Sequence, residues 1–158
     1  MARYFLDTSA LVKRYITQEV GYAWVVSLCT PAAGNAIVVS ELAVVEATAA
    51  FTRMARETPL RLDVATRDAL IATFRGQHIQ KDYLVIPVTR TLLERAADLC
   101  LKDPLRAYDA TQLASALQAR DDALAAGDIA PIFVCADNGL LTAASAEGMT
   151  TDNPIAHP

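Results

Sequence analysis

The chain has 158 residues, 53% of them hydrophobic and 20% charged, a globular balance that excludes a disordered or low-complexity protein; no short-period repeat is visible. Its net charge of −4 excludes a generally basic nucleic-acid surface, so any phosphate-bearing substrate has to be met by local basic groups or by metal ions. No run reaches the roughly 18 apolar residues of a membrane span, and the start MARYFLDTSA lacks a long apolar leader core. Three widely spaced cysteines, Cys29, Cys100 and Cys135, offer neither a disulfide framework nor a CxxC metal site. The expectation is one domain over residues 1–158, soluble and cytoplasmic, with buried thiols in a reducing compartment.

In chain order, residues 2–6 (ARYFL) read as a short buried strand and 8–16 and 18–29 as helices. A second strand is predicted at 36–39 (AIVV), followed by helices over 40–57 and 60–78. A third, 83–88 (YLVIPV), precedes helices at 89–102 and 106–126, and a fourth, 131–135 (PIFVC), precedes a helix at 138–147. Continuous apolar strands alternating with helices imply an α/β fold with a mainly parallel sheet covered on both faces. Ligands of such sheets bind beyond the carboxyl ends of the strands, where the connections diverge. Asp7, in YFLDTS, and Asp137, in FVCADNG, sit at two of those ends.

Each of these aspartates is also a good helix N-cap, and the two readings stay open for either alone. Glu46 differs. Its neighbours three and four residues away are Leu42, Ala43, Ala49 and Ala50, so it interrupts a face that should be buried, where a lone acid needs a partner or a metal. Glu41, one residue into the same predicted helix, suits the helix dipole and reads as structural. Asp109 is flanked by Leu105 and Leu113 at four residues on either side and borders an apolar stripe. Asp103 before Pro104 reads as an ordinary helix start. His78 and His157 sit in polar surroundings without ligand-like spacing and read as solvent-facing, which argues against a zinc site or histidine-based catalysis.

The segments FLDTSALVKRY, SELAVVEATAAFTR, LRAYDATQLASAL and FVCADNGLLTAASAEGM resemble, in order and spacing, the acidic motifs of PIN-domain ribonucleases. The whole chain is similar to the VapC-type toxins of toxin–antitoxin pairs. The resemblance implies a three-layer α/β/α PIN-like fold and an endoribonuclease dependent on Mg²⁺ or Mn²⁺, with Asp7, Glu46, Asp109 and Asp137 as catalytic, metal-binding acids. Thr8 and Ser9 then support the first acid. Asn138 stands where some relatives carry a further acid. The implied partners are an RNA substrate, a cognate antitoxin and a second copy of the chain, in a homodimer and a toxin–antitoxin hetero-oligomer.

Hard carboxylate oxygens suit these ions, and a cation answers the mutual repulsion of four converging acids. Lys13 and Arg14, on the helix after Asp7, and Arg106, one turn before Asp109, are candidate phosphate contacts. Arg53, Arg56, Arg61, Arg67 and Arg75 form a wider basic region that either meets RNA or balances Glu57, Asp63 and Asp68. Trp24 and Val25 offer part of an apolar groove for an antitoxin, or core packing. A phosphorylation-receiver domain also gathers acids at strand ends, but it has no role for Glu46 or Asp109 and needs a lysine after a late strand. A haloacid-dehalogenase-like phosphatase requires an acid where Ser9 stands. A PIN-like module that binds RNA or protein without cutting it fits the same sequence.

Overall fold

A computed structural model of the chain describes residues 2–58 and 62–158. Strand β1 (Arg3–Leu6) sends Phe5 to one face of a sheet and Leu6 to the other, and each side chain enters a different apolar core. The same alternation separates Val38 from Ile37 and Val39 on β2 (Ala36–Ser40), and Phe133 from Val134 on β4 (Ile132–Val134). With β3 (Leu84–Ile86) and β5 (Thr151–Asp152), the order is β3-β2-β1-β4-β5, all neighbours parallel.

One face is covered by α1 (Thr8–Leu11), which tightens into a 3₁₀ turn at Val12–Tyr15, and by α2 (Tyr22–Cys29), α3 (Ala43–Glu57) and α4 (Val64–Thr73). The other is covered by α5 (Arg90–Lys102), α6 (Ala107–Ala125) and α7 (Asn138–Ala146). This is the expected three-layer α/β/α arrangement. Residues 110–117 of α6 are all buried, so this helix is the spine of its layer. Among the described residues, no helix is long and apolar enough to cross a membrane.

Several local expectations are corrected. The helix predicted from residue 18 begins only at Tyr22, because Gly21 turns the chain at φ 86°. The one predicted over 60–78 starts at Val64, capped by Asp63 accepting from Thr66 N at 2.7 Å, and continues as π-helical turns over Phe74–Asp82. Its predicted residues 60 and 61, with Arg61, lie outside the described residues. Glu41 precedes α3 and accepts from Val88 N at 2.9 Å, a structural role filled by a loop contact instead of a helix dipole. Asp103 ends α5 instead of starting α6, and Cys100 is exposed.

Neither histidine is freely solvent-facing. His78 is buried, its Nδ1 against the Tyr15 hydroxyl, and His157 stacks on Trp24 at 4.0 Å with Nε2 2.9 Å from Asp152. Aromatic partners, invisible as local polarity, draw both rings in. Strand β5 was not predicted: two residues carry no periodicity, and it exists because β4 offers an open edge, Phe133 N and Cys135 N donating to Thr150 O and Asp152 O.

Candidate functional site

The strand order reverses between β1 and β4, the place where α/β sheets open a crevice at their carboxyl ends. Asp7 stands there because the ladder carries it: its N–H donates to Val134 O at 3.0 Å, one residue beyond β1. Oδ2 accepts from Ser9 N (2.9 Å) and Ser9 Oγ (2.6 Å), capping α1, and the Cys135 thiol lies 3.5 Å away. Ser9 Oγ also accepts from Ala136 N at 2.9 Å, which ties the β1 and β4 loops together. Among the described residues Oδ1 has no hydrogen-bond partner, so a buried aspartate keeps one oxygen uncommitted.

Asp137 follows β4 and caps α7, its Oδ1 accepting from Leu140 N at 3.0 Å. The capping reading is therefore right for both strand-end aspartates, and it orients the carboxylates as well as closing the helices. A side chain at Gly139 would bring Cβ within 3.1 Å of that oxygen.

Glu46, in the first turn of α3, is half-buried and accepts at Oε2 from Thr8 Oγ1 (2.7 Å) and from Gln112 Nε2. Burial raises its pKa above the usual glutamate value, against those two hydrogen bonds, and the charges of Asp7 and Asp109 push the same way. Asp109, in the first turn of α6, is raised chiefly by burial, then by Asp7 and Asp137, while Arg106 opposes the shift. The four predicted acids thus form one electrostatic group.

They line two adjoining recesses. One, of about 420 Å³, holds Asp7, Thr8, Glu46, Arg53, Tyr108 and Asp109. The other, of about 500 Å³, holds Arg106, Asp109 and Asp137. Asp109 belongs to both and stands on the ridge between them.

Of the candidate phosphate contacts, Arg106 is exposed at the second recess. Lys13 and Arg14 are not presented there. Lys13 is 6% exposed and pairs with Glu19 at 3.2 Å, and Arg14 donates to the Tyr83 hydroxyl with its guanidinium 5.5 Å from that ring. A basic residue after an acid motif looks free in sequence, but α1 is one turn long and the 3₁₀ turn after it carries both side chains into the α2–α4 layer. Arg53 lines the first recess, and among the described residues it has no ion-pair partner. Arg56 shares a neighbouring depression with Arg53, whereas Arg67 pairs with Asp68 at 2.8 Å. Val25 is core, and Trp24 is taken up by His157.

Sequence reasoning missed three residues. Cys135 lies beneath Asp7, its thiol held protonated by burial and then by the Asp7 charge. Tyr108, 61% exposed, offers its ring at the first recess. Gln112 is buried against Glu46; its signal was a long polar side chain one turn beyond Asp109.

The donor chemistry suits a hard cation: the oxygens are carboxylate, and the one nearby thiol is engaged with Asp7, Ser9 and Asp137 N. Among the described residues, no three acids, histidines or cysteines stand together as a ready-made metal cage. The carboxylate donor set fits a hard cation such as Mg²⁺.

A family model of the PIN domain matches residues 4–131. No curated protein sequence matches the chain. Several solved structures share its fold, among them these three. FitAcB from Neisseria gonorrhoeae is 17% identical, covers 96% of this chain and 97% of its own, and superposes with a TM-score of 0.62. VapC20 from Mycobacterium tuberculosis, described as a sarcin–ricin loop cleaving toxin, is 17% identical over 98% and 99%, TM-score 0.61. VapBC2 from Rickettsia felis, bound to a DNA fragment from their promoter, is 11% identical over 96% and 98%, TM-score 0.58.

Proposed function

The chain belongs to the PIN-domain family, and from that premise we propose that it is a metal-dependent endoribonuclease, the toxin of a toxin–antitoxin pair. The observation that carries the reading is the gathering of Asp7, Glu46, Asp109 and Asp137 in two recesses that share Asp109 at the β1/β4 crevice. The fold shared with a toxin named for cleaving the sarcin–ricin loop supports RNA as substrate, and the fold shared with VapBC2 supports control by an antitoxin.

In this reading Asp7 and Asp109 would hold Mg²⁺ or Mn²⁺, and Asp137 would orient waters beside it. When bound, the cation lowers the pKa of a water and neutralises charge on the phosphate. Glu46, anchored at one oxygen, accepts a hydrogen bond from the attacking water and aligns it with the phosphorus. The water oxygen bonds to phosphorus and gives up a proton to solvent, while the bond to O3′ breaks and O3′ takes up a proton from solvent, leaving a 3′ hydroxyl and a 5′ phosphate. Arg106 and Arg53 meet backbone phosphates in the two recesses, and the Tyr108 ring stacks on a base beside the cut. An arginine from the antitoxin tail pairs with the acids and takes the place of the metal.

Purified protein is expected to cut single-stranded or looped RNA with Mg²⁺ or Mn²⁺, to stop when EDTA is added, and to be silenced by its antitoxin. Gel analysis of end-labelled RNA checks this, and cleavage undiminished by EDTA would sink the metal-dependent reading.

A further inference from the structure

Helix α6 carries Asp109 in its first turn and Gln112 three residues later, so both side chains leave it on one side. Gln112 is 1% exposed. Its Nε2 donates to Thr8 Oγ1 at 2.9 Å and to Glu46 Oε2, and Thr8 Oγ1 donates to the same glutamate oxygen at 2.7 Å. These contacts close a triangle between α1, α3 and α6.

The orientation of the amide follows from its neighbour. An ionised carboxylate only accepts hydrogen bonds, so the nitrogen must face Glu46 and the carbonyl must point away. That carbonyl oxygen is buried and, among the described residues, has no hydrogen-bond partner. An unpaired buried carbonyl is unfavourable, and an apolar side chain of similar shape would avoid it. The arrangement keeps this cost and places the N–H on Glu46 and Thr8. One turn on, Ser115 Oγ donates to Ser40 Oγ at 2.9 Å, so the inward polar row of α6 is otherwise satisfied.

We propose that Gln112 is a positioning residue: with Thr8 it pins Glu46 through Oε2, so that Oε1 is presented to the recess shared with Asp7 and Asp109. Gln112 touches neither metal nor substrate and acts through Glu46. The inference rests on the ribonuclease reading.

The test uses Gln112→Met, which keeps length and shape and removes both polar groups. Wild type, Gln112→Met, Glu46→Gln and the double variant are compared by thermal melting without and with Mn²⁺ and by cleavage kinetics on a short RNA. Gln112→Met should melt at or above the wild-type temperature and keep the Mn²⁺-induced rise, because Asp7 and Asp109 are untouched. Its kcat should fall about 10- to 100-fold with KM changed by no more than about twofold, the pattern of a misplaced catalytic group. In the Glu46→Gln background the same substitution should cost less than about twofold, since the group it positions is gone.

A lower melting temperature with cleavage proportional to the folded fraction, or an equal loss in both backgrounds, overturns the proposal. Should Gln112→Met not fold, Thr8→Val removes the other half of the clamp and must show the same kcat loss and the same dependence on Glu46. A wild-type protein that binds Mn²⁺ but cuts no RNA instead overturns the ribonuclease reading itself.

Discussion

At the scale of single residues, the site is a set of charges held at a disadvantage. Burial and then Asp7 and Asp137 raise Asp109 from its ordinary 3.8, and burial with Asp7 and Asp109 raises Glu46 from 4.5. An acid raised in the folded state holds its proton more tightly there than in the unfolded chain. Its contribution to stability is full below the unfolded value and is lost as pH rises through the folded one. In EDTA, the melting temperature should therefore lose this contribution as pH rises upward from about 4, and Asp109→Asn should lose less, the caps and ion pairs common to both proteins cancelling. At neutral pH without metal, Asp109→Asn should melt at or above wild type while cleavage falls by about two orders of magnitude or more. Melting curves over pH, with single-turnover cleavage, check both; a variant less stable than wild type that still cuts at the wild-type rate would remove Asp109 from the site. Tyr108 belongs to the same scale: Tyr108→Ala should weaken RNA binding by about 1–3 kcal/mol, read as a raised KM with kcat nearly unchanged.

At the scale of elements, what holds the site is the termination of strands and helices. Gly21 lies in the left-handed region at φ 86°, and a Cβ there would stand 2.3 Å from Pro154 O, against backbone that cannot yield. Gly21→Ala should cost about 3 kcal/mol, from left-handed strain and displacement of the Pro154–Ala156 turn. Trp24, the sole tryptophan, stacks on His157 beside that turn, so its fluorescence in a urea titration reports the shift directly. The acids were legible because each disturbs a pattern: Asp7 and Asp137 end apolar runs, Glu46 interrupts an apolar helix face, and Asp109 borders one. The four longer strands and most helices were legible for the same reason. Lys13 was misread because burial of a lysine beside Glu19 depends on the brevity of α1, which no local spacing encodes. Gln112 was passed over because a glutamine within a helix is ordinary, and its meaning comes from Thr8, 104 residues away.

At the scale of the whole molecule, a net charge of −4 and only two arginines among the described residues lining the recesses, Arg53 and Arg106, predict modest electrostatic dependence. With Arg53 and Arg106 each on one phosphate, log Kobs for a single-stranded RNA should fall against log salt with a slope of about −1.4, and Arg53→Gln should reduce it to about −0.7. Filter binding with the Asp109→Asn protein, which leaves the RNA intact, measures both slopes. A much steeper slope would mean that Arg56 or Arg75 also touches the substrate.

The central position of β1 has a consequence in time. Of the five strands this one is synthesised first, and β2 can pair with it early, as Tyr4 with Ile37. Its other edge waits for β4, and Asp7 meets Cys135 only across 128 residues of sequence. Long-range parallel pairing is slow to form, and until it does the open edge of β1 is a place for wrong contacts. A nascent chain that has reached α6 already contains Asp7, Glu46 and Asp109, yet it lacks the β4 ladder that seats Asp7 and the loop that brings Asp137. On the ribonuclease reading, the ribosome translating this message faces no finished blade while the chain is still growing through α6; the order of translation itself acts as a safety catch.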